Sequence, residues 1–201
     1  MAPTTTIRYG VVQRVFNWII RLIGWKVVGT WPPVRKCVFM VAPHTSNWDM
    51  PIGLVAGFSS GILLHWPYGF MMKDVMFRGP LGPIMRGLGG LAIDRSSSQD
   101  AVQQMAGIFA EREDLILAVT PEGTRSRREY WRSGFYYISL AAKVPIVPVA
   151  FDYGRKEVGL GDPITLTGDR EADSEVFRAF YRDVTPKRPE KFGPIRFRPK
   201  Q

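Results

Sequence analysis

The chain has 201 residues, of which 45% are hydrophobic, and this is enough for one domain with a full core. It carries 27 Lys and Arg against 18 Asp and Glu, a net charge of +9, which favours anionic partners such as phosphates, nucleic acid or an acidic bilayer. The single cysteine, Cys37, excludes an internal disulfide, and no Cys and His cluster has the spacing of a zinc site. We therefore expect neither a bound metal nor a disulfide framework.

The first predicted element is an amphipathic helix over residues 8–23. Val12, Val15 and Ile19 share one face of it, while Arg14 and Arg21 lie on the opposite face. This pattern is typical both of a helix docked on a domain and of a helix that lies in a membrane interface. We assign residues 1–24 to a membrane-associating helix, residues 25–185 to the main domain and residues 186–201 to a basic tail, which we expect to be mobile.

The rest of the chain alternates between apolar runs and helical patterns. Strands are predicted over residues 25–29, 37–41, 70–73, 89–95, 115–119 and 146–151, and helices from residue 47 and over residues 79–88, 99–112, 134–143 and 171–184. Residues 50–72 contain no Lys, Arg, Asp or Glu, but Gly and Pro break them repeatedly, so we interpret them as a buried helix, turn and strand rather than a membrane span. The alternation indicates an α/β fold: a largely parallel central sheet flanked by helices, preceded by the amphipathic helix.

Three polar clusters follow predicted strands, at residues 44–49, 94–95 and 122–126. In parallel sheets ligands bind beyond the carboxyl ends of the strands, so these clusters mark one candidate site. If His44 lies in the loop and Asp49 in the first turn of the next helix, the two side chains can meet and handle a proton. Residues 46–49 also match a capping box, in which Asp49 only accepts a hydrogen bond from the Ser46 amide. These residues alone leave both interpretations open.

Four stretches together carry a family resemblance. They are His44-Thr-Ser-Asn-Trp-Asp49, Gly90-Leu-Ala-Ile-Asp94-Arg95, Pro121-Glu-Gly-Thr-Arg-Ser126 and Val144-Pro-Ile-Val-Pro-Val149. In this order they resemble the four motif blocks of the glycerolipid acyltransferase superfamily, which includes the 1-acylglycerol-3-phosphate O-acyltransferases, and the first stretch is similar to its HX4D motif. The matched blocks extend over residues 44–149, about half of the chain.

The resemblance implies that an acyl group passes from acyl-CoA or an acyl-carrier protein to a glycerol hydroxyl of lysophosphatidic acid, in phospholipid synthesis, with no further cofactor. His44 would act as the general base, and Asp49 would fix its tautomer and stabilise the imidazolium. Arg95 and Arg125 would grip the phosphate of the acceptor, because guanidinium groups pair well with phosphate oxygens. Lys73, Gly123 and Thr124 would also bind the acceptor, and Glu122 would hold either the acceptor or the arginines.

The partners expected from the resemblance are an acyl thioester donor, a lysophospholipid acceptor and an anionic membrane surface, with no nucleic acid. We expect a cytoplasmic protein held peripherally on the inner face of the cell membrane. Glycerol 3-phosphate or another lysolipid is an alternative acceptor. A non-catalytic basic module that binds lipid or nucleic acid is an alternative of another class; it explains the net charge of +9 but gives His44, Asp49 and Glu122 no shared task.

Overall fold

The computed structural model describes residues 10–30, 33–87, 89–94 and 97–199, and its elements confirm the predicted α/β fold. Within these ranges the helices are α1 (Val11–Leu22), α2 (Asp49–Ser60), α3 (Ile62–His65), α4 (Leu81–Gly87), α5 (Ser98–Glu111), α6 (Gly134–Ala142) and α7 (Arg170–Tyr181). The strands are β1 (Lys26–Val28), β2 (Lys36–Ala42), β3 (Tyr68–Lys73), β4 (Gly90–Ile93), β5 (Leu115–Val119), β6 (Ile146–Asp152) and β7 (Glu157–Leu160).

The strands of the described ranges form one sheet in the order β1-β7-β6-β2-β5-β3-β4. Neighbouring strands are parallel except for β6 and β7, which pair antiparallel. Strand β2 lies in the middle, where Met40 pairs with Val119 of β5 on one side and with Pro148 of β6 on the other. Because β2 and β5 are parallel neighbours, the loops that follow them begin side by side at the same edge of the sheet.

Each face of the sheet is covered by its own layer of helices. Residues along β2 alternate between the two faces, as the period of two in a strand requires. Val38 and Met40 pack into one core with residues of α5, α6 and α7, such as Phe109. Cys37 and Phe39 pack into a second core with residues of α1 and α2. The central strand is therefore buried on both faces, which holds the loop after it in a fixed position.

Helix α1 docks on α2 through the face that carries Gln13 and Phe16, and most of its apolar residues lie on the other side. The Phe16 ring stacks on Phe58 with centroids 4.7 Å apart, and the Gln13 side-chain amide donates to the Ser59 carbonyl at 3.1 Å. The opposite side stays open to solvent, with Trp18 65% exposed. Residues 1–9 of the predicted N-terminal segment lie outside the described residues. Among the described helices, none combines the length and the hydropathy needed to cross a bilayer.

The basic C-terminal segment runs back over the domain. The Trp131 N–H donates to the Arg196 carbonyl at 2.9 Å, and the Phe197 ring lies 6.0 Å from the ring of Phe135. Phe192 and Ile195 join the same core. The expectation of a mobile tail is therefore wrong for residues 192–197, because apolar side chains spaced among the basic ones anchor them; residues 200–201 lie outside the described residues.

Candidate active site

His44 and Asp49 form a close pair at the carboxyl end of β2. His44 Nδ1 lies 3.0 Å from Asp49 Oδ2; the His44 side chain is 19% exposed and that of Asp49 only 2%. His44 sits in the loop after the strand, and Asp49 is the first residue of α2. This is the loop-and-first-turn arrangement that the spacing predicted. The other ring nitrogen, Nε2, makes no hydrogen bond to any described residue, so it is the one available to a substrate.

The Asp49 carboxylate accepts further hydrogen bonds that fix its orientation. Its Oδ2 accepts from the Ser46 N–H at 3.0 Å, and its Oδ1 accepts from the Tyr153 O–H at 2.6 Å. The capping contact and the contact with His44 are therefore both present on one carboxylate. The helix begins at Asp49 rather than at residue 47, because Ser46 Oγ accepts from the Trp48 N–H at 3.2 Å in a turn before the helix.

Tyr153 acts as a donor throughout the ordinary pH range. Burial raises the pKa of Tyr153 well above its usual value, and the hydrogen bond to Asp49 raises it further. Its hydroxyl therefore keeps its proton and holds the carboxylate from the side opposite His44. A buried carboxylate with several donors is stabilised in one orientation, as a partner for an imidazole must be.

Glu122, in the turn that follows the neighbouring strand β5, fixes the backbone of the His44 loop. Its Oε1 accepts the His44 N–H at 2.7 Å, and the residue is 3% exposed. Its Oε2 is buried and has no hydrogen-bond partner among the described residues. Burial raises the pKa of Glu122 from 4.5 to about 7, against the lowering effect of the hydrogen bond from His44. The structure thus brings Glu122 to His44 rather than to a described arginine.

Gly123, Thr124 and Arg125 form the turn that follows. Gly123 has φ +64°, and a Cβ there would lie 2.6 Å from Cδ of Arg132, so only glycine fits without displacing that side chain. Thr124 Oγ1 accepts from the Ser126 N–H at 3.3 Å, which stabilises the turn. Arg125 is exposed and lines a cleft together with Thr45 and Ser46, which directly follow His44; His44 itself is not part of the cleft lining.

The other two predicted cations are Lys73 and Arg95. Lys73 is the last residue of β3, next to β5 in the sheet, which brings its backbone to the same edge. Arg95 lies outside the described residues, so its predicted role stays a prediction. Strand β4, which precedes Asp94, is separated from β5 by β3, so the two strands lie roughly 10 Å apart in the sheet.

The cleft beside the His44 loop also contains residues that the sequence did not single out. It has a volume of about 360 Å³ and is lined by Thr45, Ser46, Asn47, Trp48, Arg125, Ser126, Arg188 and Lys191.

The sequence analysis also missed Tyr153, which lies outside the cleft lining. Tyr153 directly follows β6, a neighbour of β2, so the rule that found His44, that functional residues follow the carboxyl ends of parallel strands, applies to it as well. Within the described ranges no three His, Cys, Asp or Glu side chains gather as a metal site would need.

Comparison with known proteins adds three findings. A sequence profile described as Acyltransferase matches residues 26–152. Human 1-acyl-sn-glycerol-3-phosphate acyltransferase beta is 34% identical over 122 residues, which are 58% of this chain and 41% of that protein, so the chain spans about two fifths of the length of this curated relative. The crystal structure of the 1-acyl-sn-glycerophosphate (LPA) acyltransferase PlsC from Thermotoga maritima matches with a TM-score of 0.55 and 19% identity, over 85% of this chain and 76% of that one. At that identity the structural match concerns the fold.

Proposed function

Because the chain belongs to the acyltransferase family, we propose that it transfers a fatty acyl group from an acyl thioester to a hydroxyl of lysophosphatidic acid. The observation that carries this proposal is the 3.0 Å contact of His44 Nδ1 with Asp49 Oδ2, which leaves Nε2 for a substrate. The similarity to the human 1-acyl-sn-glycerol-3-phosphate acyltransferase beta supports the choice of acceptor.

In the proposed reaction His44 Nε2 takes the proton of the acceptor hydroxyl while the oxygen attacks the thioester carbonyl. Asp49 holds the Nδ1–H and stabilises the imidazolium that forms. The tetrahedral intermediate collapses by breaking the carbon–sulfur bond, and the imidazolium returns its proton to the departing sulfur. A base of this kind contributes about 10²- to 10⁴-fold to the rate.

The reaction needs no covalent acyl-enzyme, and the single cysteine is unsuited to forming one. Cys37 is fully buried in β2, and this burial raises the pKa of its thiol to about 12. A thiol that stays protonated in a core does not act as a nucleophile. Direct attack by the acceptor oxygen, assisted by His44, is the route that the geometry supports.

Arg125 is the proposed ligand of a substrate phosphate, and the phosphate of the acceptor is the first candidate. Arg125 is exposed in the cleft that begins at Thr45, directly after His44. It has no ion-pair partner among the described carboxylates, so its guanidinium is available to phosphate oxygens. Lys73 and Arg95 remain further candidates for the same phosphate.

We place the protein peripherally on the inner face of the cell membrane, where an acceptor lipid is found. The exposed apolar face of α1, with Val11 77%, Trp18 65% and Leu22 68% exposed, supports this placement. Arg14 and Arg21 lie beside that face and are exposed, and each adds about 1 kcal/mol of attraction to an anionic leaflet.

A panel of substrates tests the proposed function. The purified full-length chain is incubated with labelled acyl-CoA or acyl-carrier protein and, in parallel, with lysophosphatidic acid, glycerol 3-phosphate and other lysolipids. Mass spectrometry identifies each product. We expect phosphatidic acid to be the main product, formed in proportion to the free thiol released. Faster acylation of glycerol 3-phosphate or another lysolipid would replace the acceptor, and no acyl transfer in any combination would refute the proposal.

A further inference from the structure

The segment of residues 187–193, here named the C-terminal strap, lies beyond residues 26–152 that match the family profile. It is fastened to both loops of the candidate site. The Arg188 N–H donates to Thr45 Oγ1 at 3.3 Å, directly after His44. On the other side the Arg127 guanidinium donates to the Phe192 carbonyl at 2.5 Å.

Two further contacts set the position of the strap. Gly193 lies so close to Arg128 that a Cβ at this glycine would come within 1.9 Å of the Arg128 carbonyl oxygen. The Lys187 ammonium lies 5.2 Å from the ring centroid of Trp48 and 5.4 Å from that of Tyr153, within the range of a cation–π interaction. The strap is therefore fixed against the catalytic loop and against the tyrosine that holds Asp49.

This position makes the strap a wall of the cleft beside the His44 loop. Arg188 and Lys191 line the cleft together with Arg125, and no acidic side chain lines it. None of the three cations pairs with a carboxylate of the described residues. Glu190 lies on the same turn of the strap but outside the cleft lining.

Three cations on converging walls repel one another and are stabilised by a shared anion. Phosphate suits this cleft, because Arg offers a planar fork of N–H donors and Lys offers a compact charge. The volume of about 360 Å³ exceeds what a phosphate alone needs and leaves room for the group that bears it.

We propose that Arg188 and Lys191 of the C-terminal strap bind, together with Arg125, a phosphate group of a substrate during acyl transfer. This inference rests on the proposed function and assigns to it binding residues that lie outside the family motifs. The phosphate comes either from the acceptor, as the monoester of lysophosphatidic acid, or from the donor, as the phosphates of CoA. The chemistry of recognition is the same in both cases, and the experiment separates them.

The test compares the full-length chain with the double variant Arg188→Ala/Lys191→Ala. The matched control is Arg112→Ala/Arg182→Ala, which also removes two cations from exposed residues, neither of which lines the cleft. Acceptors are lysophosphatidic acid and monoacylglycerol, which lacks the phosphate. Donors are acyl-CoA and acyl-pantetheine, which lacks the phosphates of CoA. Arg188→Glu serves as a second variant, because it repels the phosphate and keeps the backbone contact with Thr45.

We expect the double variant to raise KM about tenfold or more for one phosphorylated substrate, with KM for its phosphate-free counterpart unchanged. Arg188→Glu should raise the same KM further, and the control should leave it unchanged. A rise for lysophosphatidic acid assigns the phosphate to the acceptor, and a rise for acyl-CoA assigns it to the donor. Equal losses on all four substrates, no loss on any, or weaker vesicle binding with unchanged KM would overturn the proposal.

A failure of the proposed function gives a different result. In that case the wild-type chain transfers no acyl group with any pair of substrates, and equilibrium binding of CoA and of a short-chain lysophosphatidic acid decides the matter. If the wild-type chain and the control bind one of these ligands and the double variant does not, phosphate recognition by the strap is supported. Absence of binding to the wild-type chain overturns it.

Discussion

The buried Glu122 predicts a pH-dependent difference in stability between the wild-type chain and Glu122→Gln. Glutamine keeps an oxygen that can accept the His44 N–H, which now bonds Oε1 at 2.7 Å, but it cannot ionise. Burial raises the pKa of Glu122 from 4.5 to about 7, because the charged form loses its hydration and Oε2 gains no partner among the described residues. A rise of this size corresponds to about 3 kcal/mol.

The sign follows from which state binds the proton more tightly. Below pH 4.5, the ordinary pKa of this carboxyl, it is protonated in both the folded and the unfolded chain, and its full contribution to folding is present. As the pH rises from there, the unfolded chain loses the proton first, so this contribution is progressively lost. Above the folded-state pKa of about 7 both states are ionised and the loss is complete.

Urea unfolding of both chains at a series of pH values measures this difference. We expect the free energy of unfolding of Glu122→Gln, relative to wild type, to grow by about 3 kcal/mol between pH 4.5 and pH 7 and then to stay constant. Repeating the pair in a His44→Gln background removes the imidazole, which interacts electrostatically with Glu122. Parallel stability curves for the two chains in both backgrounds would mean that Glu122 ionises as freely in the folded chain as in the unfolded one, and the prediction would then be wrong.

Two further predictions concern the support of Asp49 and the face of α1. Tyr153→Phe removes the 2.6 Å donor to Asp49 Oδ1 and should lower the free energy of unfolding by about 1–3 kcal/mol in urea titrations; an unchanged value would mean that this hydrogen bond is not formed in solution. Val15→Glu/Trp18→Glu should abolish flotation with anionic vesicles, whereas Val176→Glu, at another exposed apolar position, should not. Flotation retained by the double variant would remove α1 from membrane attachment.

The central part of the site was predictable from the sequence because strand ends and parallel pairing restrict it. The apolar runs of β2 and β5 each end at a proline-containing loop, so the polar residues that follow had to leave the sheet at its carboxyl edge. The sequence does not contain the order of the strands, however. The sequence pattern therefore could not predict that the His44 N–H would bond Glu122. It also could not predict that the strand before Asp94 would lie at the edge of the sheet.

Other features depend on contacts that a local pattern does not record. Strand β7 was not predicted, since its four residues form a strand by pairing with distant or short neighbours, antiparallel with β6 and parallel with β1. The strap falls within the predicted basic tail, because residues 186–201 are rich in Lys, Arg and Pro. The same tail nevertheless contains three large apolar side chains within six residues, a pattern that indicates packing against a core. They are Phe192, Ile195 and Phe197.

The role of His44 is tested most directly by the turnover of His44→Ala with acyl-CoA and lysophosphatidic acid. We expect this variant to bind acyl-CoA as the wild type does, by equilibrium dialysis, and to lose about 10²- to 10⁴-fold in the rate of phosphatidic acid formation. If His44→Ala forms phosphatidic acid at the wild-type rate, His44 and its 3.0 Å contact with Asp49 have no part in the reaction and the proposed mechanism is wrong.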